Sequence, residues 1–209
     1  MSSRTLQSKL LICILMIPKT KKFISFTNKI IPSELTEEAK TALSFYPELI
    51  SVPIEFRFTK KVSSSIMKAQ PEFLSLLNKK SERKYIIFIS RSFGIKGKEL
   101  STANIPTEVM VGWLGHELGH IMDYIDRSSL NLVAFGIGYL FSSSFIKKAE
   151  QRADRFAVQH QMKDYILATK NFILNHTELS DEYKNKIKRL YVSPEEIIEF
   201  VNEQTTSIS

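Results

Sequence analysis

The pattern of apolar and polar positions divides the chain into a strand-like front half and a helical back half. Residues 52–59 alternate apolar and charged side chains, which predicts a half-buried strand. The compact, β-branched run Tyr85–Ser90 predicts a second strand. Beyond residue 106 the apolar positions mostly recur with the period of a helix. This order predicts an α+β fold, with a small β-sheet in the N-terminal half and a mostly helical C-terminal half.

Helix-type periodicity and capping residues occur in eight segments. The predicted helices cover residues 33–45, 71–80, 107–126, 131–141, 146–165, 167–175, 180–190 and 193–202. A glycine-bearing loop is predicted over residues 93–104. The sequence contains no internal repeat and no Pro-, Gly- or Ser-rich linker, so we expect residues 1–209 to form a single domain.

Composition and charge narrow the classes of function. The chain has 43% hydrophobic and 24% charged residues, as folded proteins commonly do, and a formal net charge of +7. The basic residues are spread along the chain and no basic helix carries interleaved aromatic residues, so we expect no nucleic-acid partner. The one cysteine, Cys13, cannot form an internal disulfide or a Cys-rich zinc site. It fits a reducing compartment, so we expect a cytoplasmic protein.

Two apolar stretches raise the question of membrane contact. Residues 10–17 are too few to span a bilayer, and we expect a buried strand or helix start there. Residues 128–146 carry no charge and are long enough to span, but several serines and glycines dilute their hydrophobicity. We expect this second stretch to form a helix in the protein core. Contact with a membrane surface is the alternative for both stretches.

The segment His116-Glu117-Leu118-Gly119-His120 carries the main chemical signal. On a helix the two imidazoles, four residues apart, share one face and can bind the same ion. Catalytic zinc takes imidazole and carboxylate ligands and keeps one position for water. The metal lowers the pKa of that water, whose proton Glu117 can accept. The alternative is that a five-residue pattern of this kind arises by chance.

Two carboxylates compete to be the third protein ligand. Asp126 lies six residues after His120, where metzincin peptidases place that ligand. Those peptidases have a chain-turning glycine where this sequence has Asp123, so the helix would carry Asp126 away from the metal. Helical spacing instead puts Glu150 and Asp154 on one face.

Glu150 can therefore bind the metal while Asp154 accepts a hydrogen bond from a ligand histidine. The alternative for this pair is a solvated helix face, because lysines and arginines surround it. Asp123 shares the helix face of the two histidines, where it is either a partner of the site or a residue of its rim.

His-Glu-Leu-Gly-His followed by Glu-x-x-Ala-Asp resembles the gluzincin zinc peptidases. The pair of motifs is similar to that of the CAAX prenyl protease and HtpX-like family and of the cytoplasmic ImmA/IrrE-type peptidases. The resemblance covers residues 113 to about 157. It implies a zincin-like fold with Zn2+ as cofactor. Carried over by position, it implies His116, His120 and Glu150 as metal ligands, Glu117 as general base and Asp154 as the partner of a ligand histidine.

The expected function is zinc-dependent hydrolysis of peptide bonds in a peptide or protein substrate. One alternative is a catalytically silent protein of the same fold that binds or regulates a partner, but the intact Glu117 argues against it. Another alternative is a membrane-surface protein that uses the two apolar stretches and its basic charge.

The sequence does not assign two further parts of a peptidase site, the oxyanion-stabilising group and the strand that pairs with the substrate. A group must stabilise the oxyanion that forms at the scissile carbonyl. The downstream candidates are His160, His176, Tyr183, Arg189 and Tyr191. In peptidases of this architecture an edge strand pairs with the substrate backbone, and Tyr85–Ser90 is the candidate. Its nearly unbroken apolar run instead favours an interior strand.

Overall fold

The computed structural model describes residues 26–60, 62, 65–95, 98–175 and 181–206, which form an α+β fold. The strands are β1 (Lys29–Ile30), β2 (Ile54–Thr59), β3 (Met67–Pro71), β4 (Tyr85–Ser90), β5 (Ser92–Ile95) and β6 (Lys98–Ser101). The α-helices are α1 (Thr36–Ser44), α2 (Thr107–Ile125), α3 (Ser129–Phe141), α4 (Ser143–Gln159), α5 (Lys163–Asn175), α6 (Asp181–Leu190) and α7 (Pro194–Thr206). The apolar stretch at residues 10–17 lies outside the described residues.

A four-stranded mixed sheet forms the front half, in the order β1-β2-β4-β3. Strands β1, β2 and β4 are parallel, while β3 runs antiparallel to β4 with Met67 opposite Ile89. Strand β4 is therefore interior, as its apolar run indicates, and β3 is one of the two edge strands, with β1 at the other edge. Strands β5 and β6 form a separate hairpin in the segment predicted as a loop.

The helix predicted over residues 71–80 is wrong. Strand β3 occupies the start of this segment, and its ladder continues to Glu72, whose N–H donates to the carbonyl of Lys84 at 2.8 Å. Two short 3-10 turns, Phe73–Leu77 and Lys80–Glu82, follow. Pairing with β4, which a local pattern does not register, overrides the helical periodicity here.

The helices predicted over residues 146–165 and 167–175 are divided differently in the structure. Helix α4 already begins at Ser143 and ends at Gln159, and α5 begins at Lys163. Between them Gln161 has a φ of 64°, in the left-handed region. This left-handed residue ends α4, and α4 and α5 both pack against α2.

Helix α2 lies at the centre of the fold and packs against α1, α4, α5 and β3. Two of its glycines permit this close packing. A Cβ added at Gly112 would collide with the carbonyl oxygen of Tyr165 on α5, and one at Gly119 with that of Ala153 on α4. The contact at Gly119 brings α4, with Glu150, against the face of α2 that carries the histidines.

Helix α3 is not the core helix predicted for residues 128–146. Its buried residues are Leu132 and Phe135 alone. The opposite face of the same helix is exposed and apolar, so the prediction is wrong for about half of the helix. Among the described residues, no single helix is long and apolar enough to span a membrane. Helices α3 and α4 together, with a bend of 119° between them, meet this criterion by length and composition only.

The contact at Gly119 gives a stability prediction. Gly119→Ala should lower the free energy of unfolding by about 2 kcal/mol or more, because the new methyl group meets backbone of α4 that cannot rotate away. Gly136→Ala on α3 is the matched control, because a Cβ there meets nothing within 4 Å. It should leave stability unchanged or raise it by up to about 1 kcal/mol. Urea unfolding of both variants measures the difference, and equal stabilities would contradict the account.

Candidate metal centre

The His-Glu-x-x-His segment lies in α2 as the sequence predicts, and its polar side chains point into the protein. His116 and Glu117 are each 7% exposed and His120 is 5% exposed. The two imidazole rings meet edge to face, with their centroids 4.8 Å apart. The four-residue spacing therefore puts both rings on one side of the helix, as the helical period requires.

Glu150 reaches the two histidines from α4. Its Oε2 lies 2.9 Å from Nε2 of His116 and 3.4 Å from Nε2 of His120, and the residue is 1% exposed. The ligand atoms of the three side chains all lie within 4.8 Å of one another. Ligand atoms around a tetrahedral zinc ion lie about 3.3–3.6 Å apart, given bonds of about 2.0–2.2 Å. The three buried side chains form a group that could hold a metal ion.

Asp154 and Lys170 form a second layer behind His116. Asp154 accepts from Nδ1 of His116 at 2.7 Å, the role expected for it beside a ligand histidine, and this leaves Nε2 to face Glu150. The other carboxylate oxygen accepts from Nζ of Lys170 at 2.7 Å. Lys170 is 4% exposed, and its ammonium lies 4.9 Å from the ring centre of Tyr191. Asp154 is thus held between two buried cationic groups.

Lys170 is a site residue that sequence reasoning missed. A signal for it exists: Lys170 falls on the buried face of α5, between Ile166 and Ile173 at helical spacing. A lysine on an otherwise apolar stripe is rare unless it has a buried partner. No local pattern identifies that partner as Asp154, because the two residues lie on different helices.

The charges of this network shift the pKa values of its members. Burial lowers the pKa of His116, but Asp154 and Glu150 outweigh it and raise that pKa to about 10. Burial raises the pKa of Glu150 and of Asp154, but the histidines and Lys170 hold both below their usual range. His116 thus carries a proton on Nε2 when no metal is bound, and a metal ion would take that proton's place.

Two tyrosines complete the surroundings of the ligand group. The hydroxyl of Tyr139 on α3 donates to Oε1 of Glu150 at 2.5 Å and so fixes the carboxylate. The ring of Tyr124 stacks on His120, with the centroids 6.0 Å apart. Nδ1 of His120 is buried and has no hydrogen-bond partner among the described residues. The stacked Tyr124 ring and the contact of Nε2 with Glu150 therefore orient this second imidazole.

The competing ligand Asp126 does not approach the histidines. It caps the C-terminal end of α2, and its side chain is 90% exposed and 3.7 Å from Nζ of Lys80. Asp123 pairs with Arg127 at 2.9 Å and with Arg152 at 3.6 Å. Of the carboxylates weighed from the sequence, Glu150 is the one that the fold brings to both histidines.

A cleft of about 1620 Å³ opens onto this group. Glu117, His120 and Glu150 line it, and β3 borders it. The N–H of Ala69 in β3 donates to Oε2 of Glu117 at 2.6 Å. A buried carboxylate is thereby fixed beside the ligand group, at the edge of the sheet.

The predicted oxyanion candidates separate by position. Arg189 and Tyr191 line the cleft, and the Tyr191 ring lies 5.7 Å from that of His116. His160 is elsewhere, stacked on Tyr46 and 3.2 Å from Glu48, which fits a structural role. His176 and the side chain of Tyr183 lie outside the described residues.

The ligand group predicts how metal binding responds to mutation. His116→Ala and Glu150→Gln should each lower bound metal by about tenfold or more after equilibration with zinc, because each removes one donor of the three. Asp126→Asn is the matched control and should bind as the wild type does. Elemental analysis of the dialysed proteins gives the ratio. A Glu150→Gln protein with undiminished metal, or an Asp126→Asn protein without it, would exclude this ligand set.

Comparisons with family models, with curated proteins and with solved structures find no match to this chain. The geometry of the site therefore carries the functional inference alone.

Proposed function

We propose that this protein is a zinc-dependent peptidase of the gluzincin kind, with a zincin-like fold. The observation that carries the proposal is the convergence of His116, His120 and Glu150 beside a fixed carboxylate, Glu117, in an open cleft. A group of buried titratable residues in a cleft is where catalytic sites are commonly found.

The donor chemistry supports zinc as the metal. Two imidazole nitrogens and one carboxylate oxygen are the donors of many catalytic zinc sites, and no cysteine contributes to the group. Zinc bound there would polarise a water molecule and the carbonyl of a peptide bond. Asp154 fixes the tautomer of His116, and Tyr139 fixes the direction of Glu150.

Glu117 has the environment of a general base. Burial raises its pKa above that of an ordinary glutamate, while the nearby histidines lower it only in part. A carboxylate with a raised pKa binds a proton from water more readily and can return it to a leaving amine. The N–H of Ala69 holds one oxygen, so the carboxylate keeps its orientation while the proton moves.

Strand β3 supports an extended peptide as the substrate. The N–H of Ser90 donates to the carbonyl of Ile66, and the antiparallel alternation then turns the backbone of Met67 and Ala69 away from β4. The backbone groups of Met67 and Ala69 thus lie on the side of β3 that faces Glu117, which accepts from the Ala69 N–H. A substrate strand added at this edge would run past the ligand group. Arg189 and Tyr191, across the cleft, are the candidates to stabilise the oxyanion.

A catalytically silent protein is the second candidate, and one observation favours it. The bonds from Glu150 and Asp154 to His116, and from Lys170 to Asp154, satisfy the buried charges without a metal. The same residues could then form an ion-paired core that only stabilises the fold. Metal binding together with cleavage distinguishes the two candidates.

Glu117→Gln separates catalysis from metal binding. The variant should keep bound zinc, because Glu117 is not among the three ligand residues, and lose about a hundredfold or more of the cleavage rate. Glu37→Gln, at a side chain that is 86% exposed on α1, is the matched control and should cleave as the wild type does. A library of internally quenched peptides measures the cleavage rate of both variants, and elemental analysis measures their bound zinc. A zinc-loaded wild type that cleaves no peptide, or a Glu117→Gln variant that keeps full activity, would contradict the proposal.

A further inference from the structure

Helix α3 is apolar on two opposite faces. Its inner face packs beside the metal centre through Phe135 and Tyr139, which stack on each other with centroids 6.3 Å apart. Its outer face carries large apolar side chains at helical spacing, with no charge between them. These are Leu130 (84% exposed), Val133 (48%), Ile137 (55%), Leu140 (76%) and Phe141 (84%). A helix that is apolar all round is normally covered on every side.

The 3-10 turn Phe73–Leu77 extends this surface. Phe73, Leu74 and Leu77 are 77%, 71% and 87% exposed. The hydroxyl of Ser129, at the start of α3, donates to the carbonyl of Leu76 at 2.7 Å, so the turn and the helix are adjacent. We call the combined surface the apolar patch. It consists of Phe73, Leu74, Leu77, Leu130, Val133, Ile137, Leu140 and Phe141.

A substrate in the cleft would not cover the whole patch. Phe73, Val133, Ile137 and Leu140 line the cleft. Leu74, Leu77, Leu130 and Phe141, the other members, lie outside its lining and are exposed by 71–87%. A partner that buries these four side chains must therefore bind outside the cleft and contact both α3 and the turn.

Lysines frame the apolar patch. Lys79 and Lys80 follow the turn closely, Lys84 comes next, and all three are exposed. Lys147 and Lys148, both exposed, follow Phe141 in the first turns of α4. The exposed acids of the same segments are Glu82 and Asp126, and Asp126 lies 3.7 Å from Lys80. The rim of the patch therefore carries an excess of positive charge.

We propose that the apolar patch docks on an anionic lipid surface, with α3 and the turn Phe73–Leu77 at the level of the headgroups. Exposed leucine and phenylalanine side chains framed by lysines are the combination that such surfaces bind. A second copy of the chain is a poorer occupant, because a symmetric pairing of the patch would bring lysine rims together.

In this arrangement α3 and α4 lie against the bilayer and do not cross it. Tyr139 ties α3 to Glu150, and Asp154, farther along α4, is fully buried. Helix α4 therefore stays in the protein while the outer face of α3 meets lipid. The docking uses none of the ligand residues, so it can be tested independently of the proposed peptidase function.

Vesicle co-sedimentation of the full chain tests the docking. The vesicles are phosphatidylcholine with about a third phosphatidylserine, and phosphatidylcholine alone. The patch variant combines Leu74→Ser, Leu77→Ser, Leu130→Ser and Phe141→Ser. The matched control combines Ile30→Ser and Ile198→Ser, at apolar residues that are 65% and 47% exposed outside the patch. The circular dichroism spectrum and urea unfolding check that each variant is folded.

We expect the patch variant to lose at least about tenfold in vesicle partitioning, and the control to partition as the wild type does. Lys147→Glu combined with Lys148→Glu, which leaves the apolar residues in place, should weaken binding to the anionic vesicles alone. Three outcomes would overturn the proposal. They are no vesicle binding by the wild type, undiminished binding by the patch variant, and a dimer in solution that the patch variant converts to monomer.

Discussion

The close approach of α2 and α4 is the constraint on which the site depends. Gly119 lies against the carbonyl of Ala153, and a single added carbon atom would separate the two helices. One turn away from this contact, Glu150 reaches Nε2 of both His116 and His120. The small residues between the polar ones in each motif are therefore part of the geometry. They set the distance that lets one carboxylate meet two imidazoles.

Charge balance is the second requirement of this arrangement. Buried charges are costly to desolvate unless each has a partner in good geometry. Glu150 and Asp154 meet His116, Asp154 also meets Lys170, and Glu117 accepts from a backbone N–H. A divalent ion would enter a group that already carries compensating charge.

The sequence predicts those features that depend on the spacing of residues within one helix. The position of α2, the shared face of His116 and His120, and the shared face of Glu150 and Asp154 all follow from the 3.6-residue period. The edge strand β3 was missed and a helix was expected beside it, because hydrogen bonds to β4 decide that segment. Lys170 and the exposed face of α3 were missed for the same reason. Both depend on which elements pack together, and the periodicity of one helix does not contain that information.

X-ray absorption at the zinc edge of the metal-loaded protein tests the central claim most directly. The account predicts two imidazole nitrogens and one carboxylate oxygen at about 2.0–2.2 Å, with a fourth light-atom ligand that exchanges with solvent. In the zinc that the Glu150→Gln protein still binds, the carboxylate contribution should disappear while the imidazole contribution remains. A spectrum with fewer than two imidazoles, or with the six oxygen neighbours of a loosely held ion, would contradict the claim that α2 and α4 build a zinc site.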